Sequence, residues 1–243
     1  MNFQKYILES SLTFNYEKID NIVPKFFSDE YYQNLSKSFD EPNVIQLPPG
    51  LPDEIPVIVA KSKGKHSDLN ISSVTTTLTT RYDNGYETDI KSSLADLKEK
   101  TYPIFNITEN MLKKVDKKIM IYGLSFITEL SVQGSDEPIL NLIFDSLTRF
   151  EVDSNLDLKN DLADFNFKIA LSRNDFYINI TVGRSQNIDK KHMLAVIDIN
   201  NKYALLKKRT HDINAESLNQ LFDTALNAVN SIETILNGRL CLG

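Results

Sequence analysis

Tryptophan is absent from this 243-residue chain, cysteine occurs once, and glycine and proline occur only 8 times each. The lone Cys241 excludes a disulfide framework or a cysteine-built zinc site within one chain. His66, His192 and His211 never fall three or four residues apart, so no helical metal pair exists. No G-x-S-x-G elbow, P-loop or G-x-G-x-x-G run is present. The usual cradles for a serine nucleophile or a nucleotide phosphate are therefore missing. Long apolar runs are missing as well, since no window approaches the roughly 18 apolar residues of a membrane helix. The opening MNFQKYILESSLTF lacks the basic start and apolar core of a signal peptide. Basic charge is in deficit, with 27 Lys and Arg against 33 Asp and Glu and a net charge of −6. That balance gives no global attraction for a phosphate backbone. These absences lead to the expectation of a cytoplasmic protein with no cofactor, no nucleic-acid partner and no membrane association.

What is present reads as an ordinary globular chain, 41% hydrophobic and 25% charged. Lys5 to Phe14 reads as a strand with imperfect alternation. Ile19, Ile22, Val23, Phe26 and Phe27 fall at roughly helical spacing, interrupted by Pro24, which predicts one or two short helices over 17–39. DEPNVIQLPPGLPDEIP carries five prolines between Pro42 and Pro56. Because it also carries Val44, Ile45, Leu47 and Leu51, an arm packed on the surface is expected rather than a free tether. Two β-rich runs flank Lys63-Gly64 and predict a hairpin with the tip KSKGKH.

Tyr86, Ile90, Leu94 and Leu97 form one stripe, predicting a helix that ends before Pro103. Lys117 to Val132 reads as a long strand, with Tyr122, Leu124, Phe126 and Thr128 on one face and Ile121, Gly123 and Ile127 on the other. Ile139, Leu142, Ile143 and Leu147 predict a helix opened by Pro138. Phe165, Phe167, Ile169 and Leu171 alternate before Arg173-Asn174-Asp175, and Phe176, Ile178, Ile180 and Val182 alternate after it: a hairpin with a tight polar turn. Ala195, Ile197 and Ile199 share one face of the next strand, and Leu194, Val196 and Asp198 the other. A turn at NNKY and a further strand over 204–208 are expected to follow. Last comes the most regular pattern, Leu218, Leu221, Phe222, Ala225, Val229, Ile232 and Leu236, with Asn214 as N-cap and Gly238 just past the end. The predicted fold is α+β: antiparallel sheet or sheets of hairpins, packed amphipathic helices and a long C-terminal helix. It is read as a single domain over 1–243, divisible into two loosely similar halves, 1–115 and 116–243.

Asp198 raises the one chemical question. A restriction-type nuclease sets an acid-x-lysine pair beside another carboxylate so that a divalent metal sits next to a lysine. In IDINNK the lysine follows the aspartate by four residues rather than two. Asp157 to Lys159 has the spacing but lies in a polar connection without a strand pattern. Asp198 therefore reads as a strand residue, exposed or capping the Asn-Asn turn. Candidate partner contacts are Lys61, Lys63, Lys65 and His66 at the hairpin tip, Leu78 on a Thr-rich strand expected at the sheet margin, and Leu47 and Leu51 on the arm. The lysines would favour an acidic partner.

GLSFITEL (Gly123 to Leu130), AVIDIN (Ala195 to Asn200) and the closing LNQLFDTALNAVNSIETIL resemble an uncharacterised, sporadically distributed bacterial family of about this length. Its members carry a glycine-leucine-arginine-tyrosine-isoleucine-asparagine strand, a late aspartate-x-aspartate strand and a final amphipathic helix. Ser125, Phe126 and Thr128 stand here for its arginine, tyrosine and asparagine, Asn200 for its second aspartate and Asn219 for a histidine. The resemblance implies a fold and no activity. The element order is also similar to that of secretion chaperones of the SecB type. The reading is a non-enzymatic protein-binding component of a bacterial or phage-encoded system, or a homo-oligomer. A metal-dependent nuclease-like or other enzyme with a scattered site, and a chaperone of unfolded chains, are the alternatives.

Overall fold

Two long strands, β1 (Phe3–Tyr16) and β6 (Ile119–Val132), each 14 residues, pair antiparallel from Phe3 opposite Val132 to Tyr16 opposite Ile119. They form the seam of a nine-stranded sheet in the computed structural model, which describes residues 3–27, 35–64, 66–82, 90–132, 139, 141–143, 166–173, 175–184, 192–202, 206 and 213–236. The remaining strands are β2 (Asn43–Val44), β3 (Ile58–Lys61), β4 (Ser67–Ile71), β5 (Thr75–Arg81), β7 (Phe167–Arg173), β8 (Phe176–Arg184) and β9 (His192–Asn200). Their order is β2-β3-β4-β5-β1-β6-β9-β8-β7, antiparallel throughout. Outward from the seam, each long strand is flanked by a three-strand meander whose last strand in sequence returns to it. A long helix follows each meander, α2 (Ile90–Lys113) and α3 (Ala215–Leu236).

Strand alternation explains the layers. Leu12, Phe14, Leu124, Phe126, Ala195 and Ile197 are buried on one face, which both helices cover. Phe14 meets Phe105 of α2 with ring centroids 5.8 Å apart, and Tyr102 of α2 donates to Asn219 Oδ1 of α3 at 2.8 Å. Ser11, Thr13, Asn15, Thr77, Thr79, Ser125, Asp198 and Asn200 occupy the opposite, open face. The imperfect alternation of β1 has a definite cause. A bulge between Ile7 and Glu9 shifts the pairing by one residue, so the buried positions change from odd (Ile7) to even (Ser10, Leu12, Phe14).

The final helix begins as expected, with Ser217 N–H donating to Asn214 Oδ1 at 2.9 Å, and its whole predicted stripe is buried. Four expectations change. The helix expected to stop before Pro103 runs on to Lys113. Losing one backbone bond and accommodating the ring costs about 3 kcal/mol. Burying Leu94, Leu97, Ile104, Phe105, Ile107, Met111 and Leu112 contributes about 1.5–3 kcal/mol each, so the buried stripe wins. Pro24, by contrast, sits in the first turn of α1 (Ile22–Phe26), where its missing N–H would be unpaired anyway. The second β-rich run after Lys63-Gly64 is two strands, β4 and β5, turning at Ser72, whose Oγ accepts from the N–H groups of Val74 and Thr75. Thr76 to Arg81 is therefore interior, paired with β1 on one side and β4 on the other, and not a margin. Of the strand expected over 204–208, the described residue Leu206 is helical. Tyr86, Leu147, Phe165, Asn174 and Gly238 lie outside the described residues.

Candidate functional site

Proline fixes φ and removes backbone donors, so the Pro42–Pro56 arm is stiff before it touches anything. It is then tied down. Asn43 and Val44 pair with Val59 and Ile58, Ile45 N–H donates to Val57 O at 2.8 Å, and Ile55 N–H to Pro52 O at 3.2 Å. Gly50, at φ 88, supplies the left-handed residue of its turn. Ser73 Oγ donates to Asp53 O at 3.1 Å, and Lys18 Nζ lies 2.9 Å from Asp53 Oδ1. That ion pair is exposed, contributes little to stability and chiefly fixes geometry. The Asp53 carboxylate, by hydrogen bond and charge, raises the pKa of Lys18.

The arm nevertheless leaves apolar side chains in solvent, Val44 at 45%, Ile45 at 43% and Leu51 at 44% exposure. Facing them is the corner where β1 passes into α1, held by Ile19 N–H donating to Ser73 O at 2.8 Å. Between the two walls is a groove of about 490 Å³, lined by Ile22, Val23, Val44, Leu47, Leu51 and Ile55 among others. Asp20 and Glu54 are exposed beside it.

The structure places Leu47 and Leu51 in this groove. Lys61 and Lys63 are exposed at the far end of β3, and His66 is half-buried. The tip there is a knotted turn: Ser62 Oγ accepts from His66 N–H at 3.2 Å and Ser67 N–H at 2.9 Å, while Lys63 N–H donates to Ser38 O at 2.9 Å. Lys65 lies outside the described residues. Leu78 does not belong to any surface. It is 0% exposed in the core, on the helix-covered face of the interior strand β5, and cannot touch a partner.

Asp198 lies on the open face, between Ser125 of β6 and Asn179 of β8. It accepts from Asn200 Nδ2 at 3.1 Å, and Asn200 Oδ1 in turn accepts from Lys202 N–H at 3.1 Å. Asn200, not Asp198, thus caps the turn. Burial raises the carboxyl pKa, opposed by the Asn200 hydrogen bond and the charge of Lys168. No group of three or more His, Cys, Asp or Glu side chains converges among the described residues. A hollow of about 280 Å³ lies beside Asp198, lined by Ser11, Thr13, Asn15, Ile121, Gly123, Ser125, Asn200 and Lys202 as well. No single strand marked it in the sequence, since Ser11, Thr13 and Asn15 of β1 read alone are an ordinary solvent-facing row. Compared with protein-family models and with curated proteins, the chain matches none.

Proposed function

We propose that this chain is a non-enzymatic protein-binding component of a multi-protein system, holding an extended apolar segment of another protein in the arm groove. One observation carries the reading: a backbone-bonded, proline-stiffened arm that presents Val44, Ile45 and Leu51 to solvent rather than to its own core. Apolar side chains held rigidly at the surface lose little entropy when a partner covers them, which favours association. Asp20 and Glu54 favour basic residues beside the apolar segment, while Lys61 and Lys63 at the other end of β3 favour an acidic residue there. The charges would orient the bound segment along the margin.

The test is fluorescence anisotropy with short labelled peptides. An extended apolar peptide with a flanking lysine should bind, and a Gly-Ser peptide of equal length should not. The double change Ile45→Asp and Leu51→Asp, both at exposed positions, should weaken binding at least tenfold with the fold intact. Equal binding of both peptides, or no effect of the double change, would refute the groove. The second reading, a chaperone of unfolded chains, draws on the broad antiparallel sheet with two long helices on one face and an apolar groove at its margin. Under it, a reduced and carboxymethylated, permanently unfolded protein would displace the peptide. Under the first reading it would not.

A further inference from the structure

We infer that the open face of the sheet carries a second, independent site, the hollow on β1, β6 and β9, which binds a small neutral polyhydroxyl compound of monosaccharide size. Two cross-strand rows build it: Ser11, Ser125 and Asp198 in one, Thr13, Gly123 and Asn200 in the next. Neighbours across a row stand about 4.5–5.5 Å apart. Successive rows on one face are two residues, about 6.6–6.8 Å, apart along the strands. The frame is thus about as wide as a sugar ring with its hydroxyls. Gly123 makes the depression in its middle. A Cβ there would lie 2.9 Å from both Asn200 Cβ and Ile199 O. The volume of about 280 Å³ falls near the small end of the roughly 300–1,000 Å³ typical of small-molecule sites.

The lining decides the ligand class. Thr13 and Ser125 offer hydroxyls that donate and accept, Ser11 a hydroxyl already shared with Thr79 Oγ1 at 3.4 Å, Asn15 and Asn200 carboxamides that do both, Asp198 two acceptor oxygens and Lys202 an ammonium. Within the lining itself one carboxylate and one ammonium sum to zero charge, and Lys168 of β7 adds its charge to the field at Asp198 from outside the hollow. A phosphate would meet Asp198, and a divalent cation would find a single carboxylate beside Lys202. A vicinal diol suits the set, donating to the carboxylate and accepting from amide and ammonium. The geometry is set in advance, because Lys202 N–H holds Asn200 and Asn200 Nδ2 holds Asp198, each at 3.1 Å. Side chains of Thr13, Asn15 and Ser125 line the hollow and form no hydrogen bond with the described residues, so their capacity is uncommitted there. Ile121 adds an apolar patch for the C–H face of a ring.

The experiment is a titration of the ¹⁵N-labelled protein with D-glucose, D-galactose and myo-inositol, followed by amide shifts in two-dimensional NMR. At least one probe should produce saturable shifts in the millimolar range, confined to residues 11–15, 121–125 and 198–202. The near-isosteric variants Thr13→Val and Asp198→Asn, whose spectra report their own folding, should each weaken that binding at least fivefold. Shifts with none of the three probes, shifts elsewhere, or unchanged affinity in both variants overturn the site. Saturable shifts of the same amides with sodium phosphate or magnesium chloride, and none with the polyols, overturn the ligand class.

Discussion

Truncating Phe222 to alanine tests whether the C-terminal helix is held by this chain's own core. Phe222 lies on the inner stripe of α3 and is only 4% exposed, with Leu218, Leu221 and Ala225 buried beside it at 0%. A buried phenylalanine removes about 150–250 Å² from water, which at about 25 cal/mol per Å² amounts to about 4–6 kcal/mol. The alanine retains part of that, and the cavity left behind adds to the loss, so a net cost of about 3–5 kcal/mol is expected. For a domain of this size each kcal/mol lowers Tm by about 2–4 °C, giving a fall of about 6–20 °C. Urea unfolding followed by circular dichroism at 222 nm measures it, with the exposed neighbour Asp223→Ala as the control, expected within about 0.5 kcal/mol of the parent. A loss below about 1 kcal/mol for Phe222→Ala would refute the reasoning. The stripe would then be packing on a partner or a second copy.

Three further outcomes are expected. Thr79→Pro should destabilise by about 3 kcal/mol or more, because β5 is bonded on both sides at Ser11 and Asp68; the soluble yield and Tm check it, and a folded variant altered only in self-association would contradict the topology. Asp198→Asn should stabilise at neutral pH. Its folded pKa is raised above 3.8, so the folded state binds the proton more tightly and the carboxylate weakens the fold as pH rises through that region. The advantage of the asparagine should therefore vanish on acidification below about 4, and an advantage independent of pH in paired urea titrations would count against burial as the cause. Burial pushes Tyr82 and Tyr122 up to about 12 from 10, and Tyr16 upward as well. Unfolded tyrosines ionise first, so stability present below pH 10 should be lost between 10 and 12, by about 2–3 kcal/mol for each of Tyr82 and Tyr122. Absorbance at 295 nm with parallel circular dichroism should show their phenolates only as the fold melts, and all ten tyrosines titrating near 10 in the folded protein would contradict this.

Elements governed by local periodicity were legible in the sequence. The stripe of α3, the faces of β6 and β9 and the pairing of β7 with β8 follow from side-chain spacing within one segment, and each has its counterpart in the structure. The departures have a different physical origin. Pro103 is tolerated because of burial contributed by distant strands, and the bulge in β1 is defined only against β6, so neither is encoded by neighbours in the chain. The groove divides along the same line. Leu47 and Leu51 could be picked out as apolar residues in a proline-rich arm, whereas the facing wall at Ile22 and Val23 arrives through tertiary bonds from Ser73 to Ile19 and Asp53.

The misplacement of β5 shows why polarity alone does not locate a strand within a sheet. Thr75, Thr77 and Thr79 made one face half polar, a pattern that suits an edge and equally suits the solvent side of a central strand. The two cases differ in what the backbone N–H and C=O groups meet, and that depends on β1, whose paired residues lie sixty or more positions earlier in the chain. Asp198 presents the same ambiguity at one residue. Alternation put it opposite the core-facing Ile197 and Ile199, but nothing local revealed that Ser11 and Ser125 would continue its row while Gly123 opened a depression beside it. The polar positions of the three strands look unremarkable one strand at a time; only their register turns them into the lining of one hollow.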